Sequence, residues 1–125
     1  MKKIELEFLI NCSPKLLYSL LSTPTGLAEW FADKVDERHD EYTFHWDGSE
    51  EKARQVSTRE NEYVRYLWLN DDEEEDHYFE FKITVDDLTN DVALIITDYC
   101  PEGEEKETEL LWDRQVHDLM HSIGA

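Results

Sequence analysis

Positive charge is scarce in this chain: 12 Lys plus Arg stand against 31 Asp plus Glu, a net charge of −19. A surface of that sign repels phosphate backbones and anionic headgroups, which argues against a nucleic-acid or peripheral-membrane partner. Its plain consequence is solubility; its sharper one is attraction for a basic protein partner. Long apolar runs are missing as well, and none approaches the roughly 18 residues needed to span a bilayer. Met1-Lys2-Lys3-Ile4-Glu5 leads straight into an alternating strand with no signal-peptide apolar region, so the expected location is the cytoplasm. The two cysteines, Cys12 and Cys100, lack metal-type spacing and fit reduced thiols. There is no nucleophile elbow, no phosphate-cradling glycine loop and no thiol beside an evident activating base. These absences lean against an enzyme, and no cofactor is expected.

What the chain does have is aromatic mass and clear periodicity. Its 4 Trp, 6 Tyr and 5 Phe, within 40% apolar residues, argue for one folded domain over residues 1–125. Ile4, Leu6, Phe8 and Ile10 alternate with charged residues and predict a half-buried strand, with Leu9 out of phase. Ser13 and Pro14 then open a helix, Ser13 as cap and Pro14 at the first helical position. Leu16, Leu17, Leu20 and Leu21 form its apolar stripe. Thr23-Pro24-Thr25-Gly26 breaks it, and Leu27, Trp30 and Phe31 have the spacing of a second short helix.

Residues 34–41 are polar and lead into a strand of Tyr42, Phe44 and Trp46, closed by the turn signal Asp47-Gly48. A weak strand around 52–59 has only Ala53 and Val56 as apolar residues, so an exposed or edge position is expected. Val64, Tyr66 and Trp68 share one face of the next strand, with Arg65 on the other. After the acidic run 70–76, read as a solvated hairpin loop, Phe79, Phe81, Ile83 and Val85 alternate cleanly. Residues 92–99 are a nearly continuous apolar run suited to a central strand. Glu104, Glu105 and Glu107 suit the start of a final helix, and Trp112, Val116, Leu119, Met120 and Ile123 make its stripe. The order predicts an α+β protein: a curved antiparallel sheet of about six strands wrapped around a long C-terminal helix.

Trp30, Phe31, Phe44, Trp46, Tyr66, Trp68, Phe79, Phe81 and Trp112, with Val116 and Met120, are expected to face the space between sheet and final helix. They either fill a core or line a pocket for an apolar or aromatic small molecule. Asp113, His117 and His121 follow one another at helical turns, but on the polar side or edge of the stripe, so no metal site is expected. The acidic loop before His77 lacks the glycine and ligand spacing of a calcium loop. In Asp36-Glu37-Arg38-His39-Asp40-Glu41 nothing fixes a partner for acid–base catalysis. Arg65 is placed on the outer surface; only a reversed register would turn it inward to anchor a carboxylate.

Ser13-Pro14, the stretch Thr23 to Phe31, Tyr42-Thr43-Phe44-His45-Trp46-Asp47-Gly48, Val64 to Trp68 and the span Trp112 to Leu119 together resemble the helix-grip superfamily. That superfamily unites START-related lipid-transfer domains, birch-pollen-type allergens and polyketide cyclases. The nearest likeness is to bacterial homologues of the C-terminal domain of the heat-shock-protein ATPase activator. Leu111 stands where a glycine commonly precedes the tryptophan of the last helix. The resemblance implies a β-α-α-β5-α fold with a ligand space between sheet and helix, and a co-chaperone-like docking module or a cyclase- or hydrolase-like enzyme as alternatives. It also implies that the first strand runs antiparallel beside the last, placing Cys12 and Cys100 at opposite ends of the sheet. Eight strand residues cover about 26 Å, against a limit of roughly 7 Å between the Cα atoms of a disulfide. Two free thiols are expected.

Overall fold

The computed structural model describes residues 1–69 and 77–125, so the acidic run read as a hairpin loop lies outside the described residues. The chain forms β1 (Lys2–Leu9), α1 (Pro14–Ser22), α2 (Pro24–Leu27), β2 (Lys34–Arg38), β3 (Glu41–Trp46), β4 (Ser49–Arg59), β5 (Tyr63–Trp68), β6 (Tyr78–Val85), β7 (Val92–Cys100) and α3 (Glu105–Ser122). The strands make one antiparallel sheet in the order β1-β7-β6-β5-β4-β3-β2. This is the helix-grip arrangement, with seven strands where about six were expected.

The extra strand is β2, which pairs with β3 from Lys34↔His45 to Arg38↔Glu41. Its turn uses His39 (φ 52°) and Asp40 (φ 66°) in the left-handed region. Such a turn ordinarily calls for glycine; here the Asp40 N–H donates to Glu37 Oε2 at 2.9 Å and helps hold it. The second correction concerns β4. Most of its residues are exposed, as one of the two expected positions had it, but it lies between β3 and β5 and not at the edge. It reads as weak because only Ala53 is both apolar and buried, while a register shift between Gln55 and Ser57 puts Val56 on the outside, 47% exposed. A bulge of this kind also bends the sheet.

Side chains alternate as the strands require. Phe79, Phe81 and Ile83 of β6 and Val64 and Tyr66 of β5 point into the concave side and are buried. Val85, read with the inward set, lies at the strand end and is exposed. On the convex side the Arg65 guanidinium lies 4.1 Å from the Tyr78 ring centroid and 3.4 Å from Glu80, which places Arg65 outside. In α1 the Leu16 N–H donates to Ser13 Oγ at 3.1 Å, and Leu17, Leu20 and Leu21 are buried, whereas Leu16 is exposed.

The second helix ends at Leu27, so Trp30 and Phe31 sit in the turn that follows it. Both are still buried, and the Trp30 indole N–H donates to the Leu20 carbonyl at 2.8 Å. Gly26 permits that junction: a Cβ there would lie 2.1 Å from the Ser19 carbonyl oxygen. Across the concave face, α3 turns Trp112, Val116 and Leu119 inward. Both cysteines are free, Cys100 opposite Lys2 and Cys12 beyond the other end of β1.

Candidate functional site, a cleft at the open end of the grip

The concave space has two unlike halves. Around the C-terminal end of α1 it is filled: Phe44, Tyr66, Phe79 and Phe81 are 0% exposed. Their rings pack at van der Waals contact, Tyr66 stacked on Phe79 at 5.0 Å and Trp68 against Phe79 at 4.7 Å between centroids. The polar atoms buried here serve one another. Tyr66 donates to the Leu21 carbonyl at 2.6 Å and Tyr42 to the Ser22 carbonyl at 3.0 Å. The Gln55 amide also donates to Ser22 and reaches both phenol oxygens. Thus three sheet residues satisfy carbonyls at a helix end that would otherwise be orphaned. Burial pushes the Tyr42 phenol up to about 12 and the Tyr66 phenol higher still, partly offset in each by the Gln55 hydrogen bond.

At the other end the grip is open, and a cleft of about 1000 Å³ lies there. One wall is the segment after α2, with Trp30 and Phe31. A second is the ends of β3 and β5, with Trp46 and Trp68. The third is the face of α3 carrying Leu111, Gln115 and Asp118. Two hydrogen bonds tie these walls together, because the Phe31 carbonyl accepts from Trp46 Nε1 at 2.8 Å and from Gln115 Nε2 at 3.2 Å. Phe31 also packs edge-on to Trp46 at 5.4 Å and stacks near Trp112 at 5.9 Å.

Of the residues singled out from sequence, Trp30, Phe31, Trp46 and Trp68 line this cleft. Phe44, Tyr66, Phe79 and Phe81 lie behind it in the filled half, and Trp112 and Val116 are buried on the inner face of α3. Met120 is half-buried and packs against the core. His117, His121 and Asp113 are all exposed on α3. Among the described residues no three His, Cys, Asp or Glu side chains assemble as a metal site. The stretch Asp36–Glu41 is the β2–β3 hairpin, where His45 Nε2 lies 3.0 Å from Asp36 on the exposed side.

The residue that sequence reading passed over is Asp98. It sits in the cleft lining, its Oδ2 accepting from the Trp112 indole N–H at 2.9 Å and its Oδ1 from the Tyr99 backbone N–H at 2.8 Å. Burial raises its carboxyl above the usual range, with those two hydrogen bonds pulling the other way. A signal was present: Leu94, Ile96 and Asp98 alternate, so the charge falls in phase with the inward face.

Comparison with known proteins agrees with this geometry. The chain belongs to the START-like superfamily, whose domain model matches residues 1–125. It is 40% identical to BfR322 from Bacteroides fragilis, a solution structure, over 98% of this chain and 90% of that one, with a TM-score of 0.68. The Aha1 dimer from Colwellia psychrerythraea shares the fold at 17% identity, covering 96% of this chain and 94% of that one, TM-score 0.81. DynU16, from the dynemicin biosynthetic locus, matches all of this chain over 48% of its own length at 12% identity, TM-score 0.82. No curated protein sequence matches significantly. Among the described residues no helix is long and apolar enough to cross a membrane.

Proposed function

We propose that this protein is a non-enzymatic START-like domain that binds a hydrophobic or aromatic small molecule between the sheet and α3. One observation carries the reading: the cleft of about 1000 Å³ keeps the half-buried indoles of Trp46 and Trp68 facing open space. Sites for small molecules are concave, largely apolar and of roughly 300–1,000 Å³. The aromatic set from Phe44 to Phe81 serves as a rigid back wall that holds the two indoles in place, so little ordering is left for the ligand to bring about. The test is native mass spectrometry of the protein isolated from its own host. Extra mass that leaves on denaturation is the expected result; a clean apo mass, with no heat in titrations against lipid and flavonoid panels, would overturn it.

A second reading has its own support. The filled half leaves no ligand room behind the cleft, and a net charge of −19 would steer a basic protein partner. In that reading the domain is a docking module of the co-chaperone kind. Association with a basic partner that weakens steeply with salt, unchanged by Trp68→Ala, would favour it over the ligand carrier.

A further inference from the structure

The cleft has a chemical bias beyond being apolar. Glu29, Asp33, Glu51, Asp98 and Asp118 all border it, while its described lining contains neither Lys nor Arg. The basic groups there are the Met1 amino group and the imidazoles of His77 and His121. The excess would be ordinary surface charge if all five carboxylates were solvated. Asp98 is different. It is half-buried, and both of its oxygens accept from neutral donors, the Trp112 indole and the Tyr99 amide. Among the described residues its carboxylate makes no ion pair; the pairs present involve Glu105, Asp36, Glu62 and Glu80. A partly desolvated carboxylate without a counter-ion is an unfavourable arrangement that an incoming cation relieves. The indoles of Trp46 and Trp68 line the same cleft, and aromatic rings attract the same charge.

We infer that the cleft takes an organic cation, an apolar or aromatic body carrying an amine, with its ammonium group paired to Asp98 and its body against the indoles of Trp46 and Trp68. The inference rests on the ligand-binding reading above and adds the ligand's charge to it. The outer carboxylates concentrate cations at the cleft mouth without contacting the bound molecule, because low-dielectric walls focus their field inward. An anionic ligand such as a fatty acid meets the opposite field and binds more weakly.

Three probes sharing one body separate the possibilities: 1-naphthylmethylammonium, 1-naphthylmethanol and 1-naphthylacetate, titrated calorimetrically at neutral pH and low salt. The ammonium is expected to bind about ten-fold more tightly than the alcohol, corresponding to ~1.4 kcal/mol, and the carboxylate most weakly. Asn keeps only one of the two acceptor oxygens, so Asp98→Asn is read as a ratio: the ammonium's advantage over the alcohol should fall to about one, whatever the shared change in affinity. Should that variant fail to fold, the double variant Glu51→Gln with Asp118→Asn, both at exposed sites, is expected to cut the ammonium's advantage two- to three-fold. Alcohol or carboxylate binding as tightly as the ammonium would overturn the cation inference while leaving the ligand-binding reading intact. Failure of all three probes to bind would count against that underlying reading and remove both.

Discussion

The two halves of the concave space are lined by the same strands and differ in where their polar groups find partners. In the filled half, Tyr42, Gln55 and Tyr66 meet the last carbonyls of α1, and every aromatic ring is covered by another. In the open half, the indole nitrogens of Trp30, Trp46 and Trp112 are satisfied, but a cleft opens between the walls they join and Asp98 lacks a partner of opposite charge. The first arrangement is what stability needs, since buried polar groups are inexpensive only when paired. The second is what recognition needs, since a rigid wall with an unspent electrostatic interaction leaves the ligand something to supply.

The sharpest way to break this contrast is to truncate one ring on each side. Phe79→Ala removes a ring that touches Phe31, Phe44, Tyr66, Trp68 and Phe81 with no exposed surface. It should cost about 3–5 kcal/mol, read as a lowered midpoint in urea unfolding. Trp46→Ala, at a half-exposed site, should cost clearly less and lose small-molecule binding instead. Equal stability losses would mean that the two halves are one continuous core.

Gly26→Ala comes next. The added methyl would meet backbone atoms, the Ser19 carbonyl at 2.1 Å and the Leu20 Cα at 2.6 Å, and neither can rotate away. Helices α1 and α2 must separate, at a cost of about 1–3 kcal/mol by analogy with overpacked cores. Because the Leu20 carbonyl also receives the Trp30 indole, this change should loosen one cleft wall as well. Thermal unfolding together with a probe titration would show both effects.

The tyrosine network tests the filled half more gently. Tyr66→Phe leaves the Leu21 carbonyl without its donor and should cost about 1–2 kcal/mol. Tyr42→Phe should cost less, because Gln55 still donates to the Ser22 carbonyl. Burial raises the Tyr42 phenol from the usual 10 to about 12. A raised folded pKa means that the protonated phenol contributes stability fully present below pH 10 and lost as pH climbs from there towards 12. Wild type should therefore weaken across that alkaline window more steeply than Tyr42→Phe, as followed by unfolding midpoints alongside tyrosinate absorbance.

Much of this was legible in the sequence, for identifiable reasons. Period-two alternation in Phe79, Phe81 and Ile83, and the stripe of Trp112, Val116 and Leu119, gave both the elements and the faces they bury. β2 was not legible because its turn is built from His39 and Asp40 without the glycine that marks such turns. β4 was read as exposed or at an edge because Ala53 and Val56 are its only apolar residues; Gln55 holds an inward position there, and its partners on α1 are visible only in the fold. The α2 helix stopped short of Trp30, yet the same spacing delivered Trp30 and Phe31 to the cleft through a turn. The alternation of Leu94, Ile96 and Asp98 marked Asp98 as inward-facing; what the sequence could not show was its partner Trp112, which lies across the fold on α3.

The smallest expected effect is the most diagnostic, because it compares two aspartates that each accept two N–H donors. Asp86 takes the Leu88 and Thr89 amides at 2.8 and 3.0 Å on the surface, and its carboxyl is lowered. Asp98 takes an indole and an amide at similar distances, and its carboxyl is raised, because burial outweighs both bonds. The linkage signs are opposite. Asp86 contributes stability above the usual carboxylate pKa, lost as the medium is acidified. Asp98 contributes below its unfolded value of 3.8, and that contribution fades as pH rises through its elevated folded value. Asp98→Asn should flatten the second dependence and leave the first, seen in urea midpoints measured from acid to neutral pH. A bound ammonium should flatten it in wild type too, by giving the ionised carboxylate its missing partner. If saturating 1-naphthylmethylammonium leaves the slope untouched, Asp98 is a structural anchor for Trp112 and the ligand's charge is read elsewhere in the cleft.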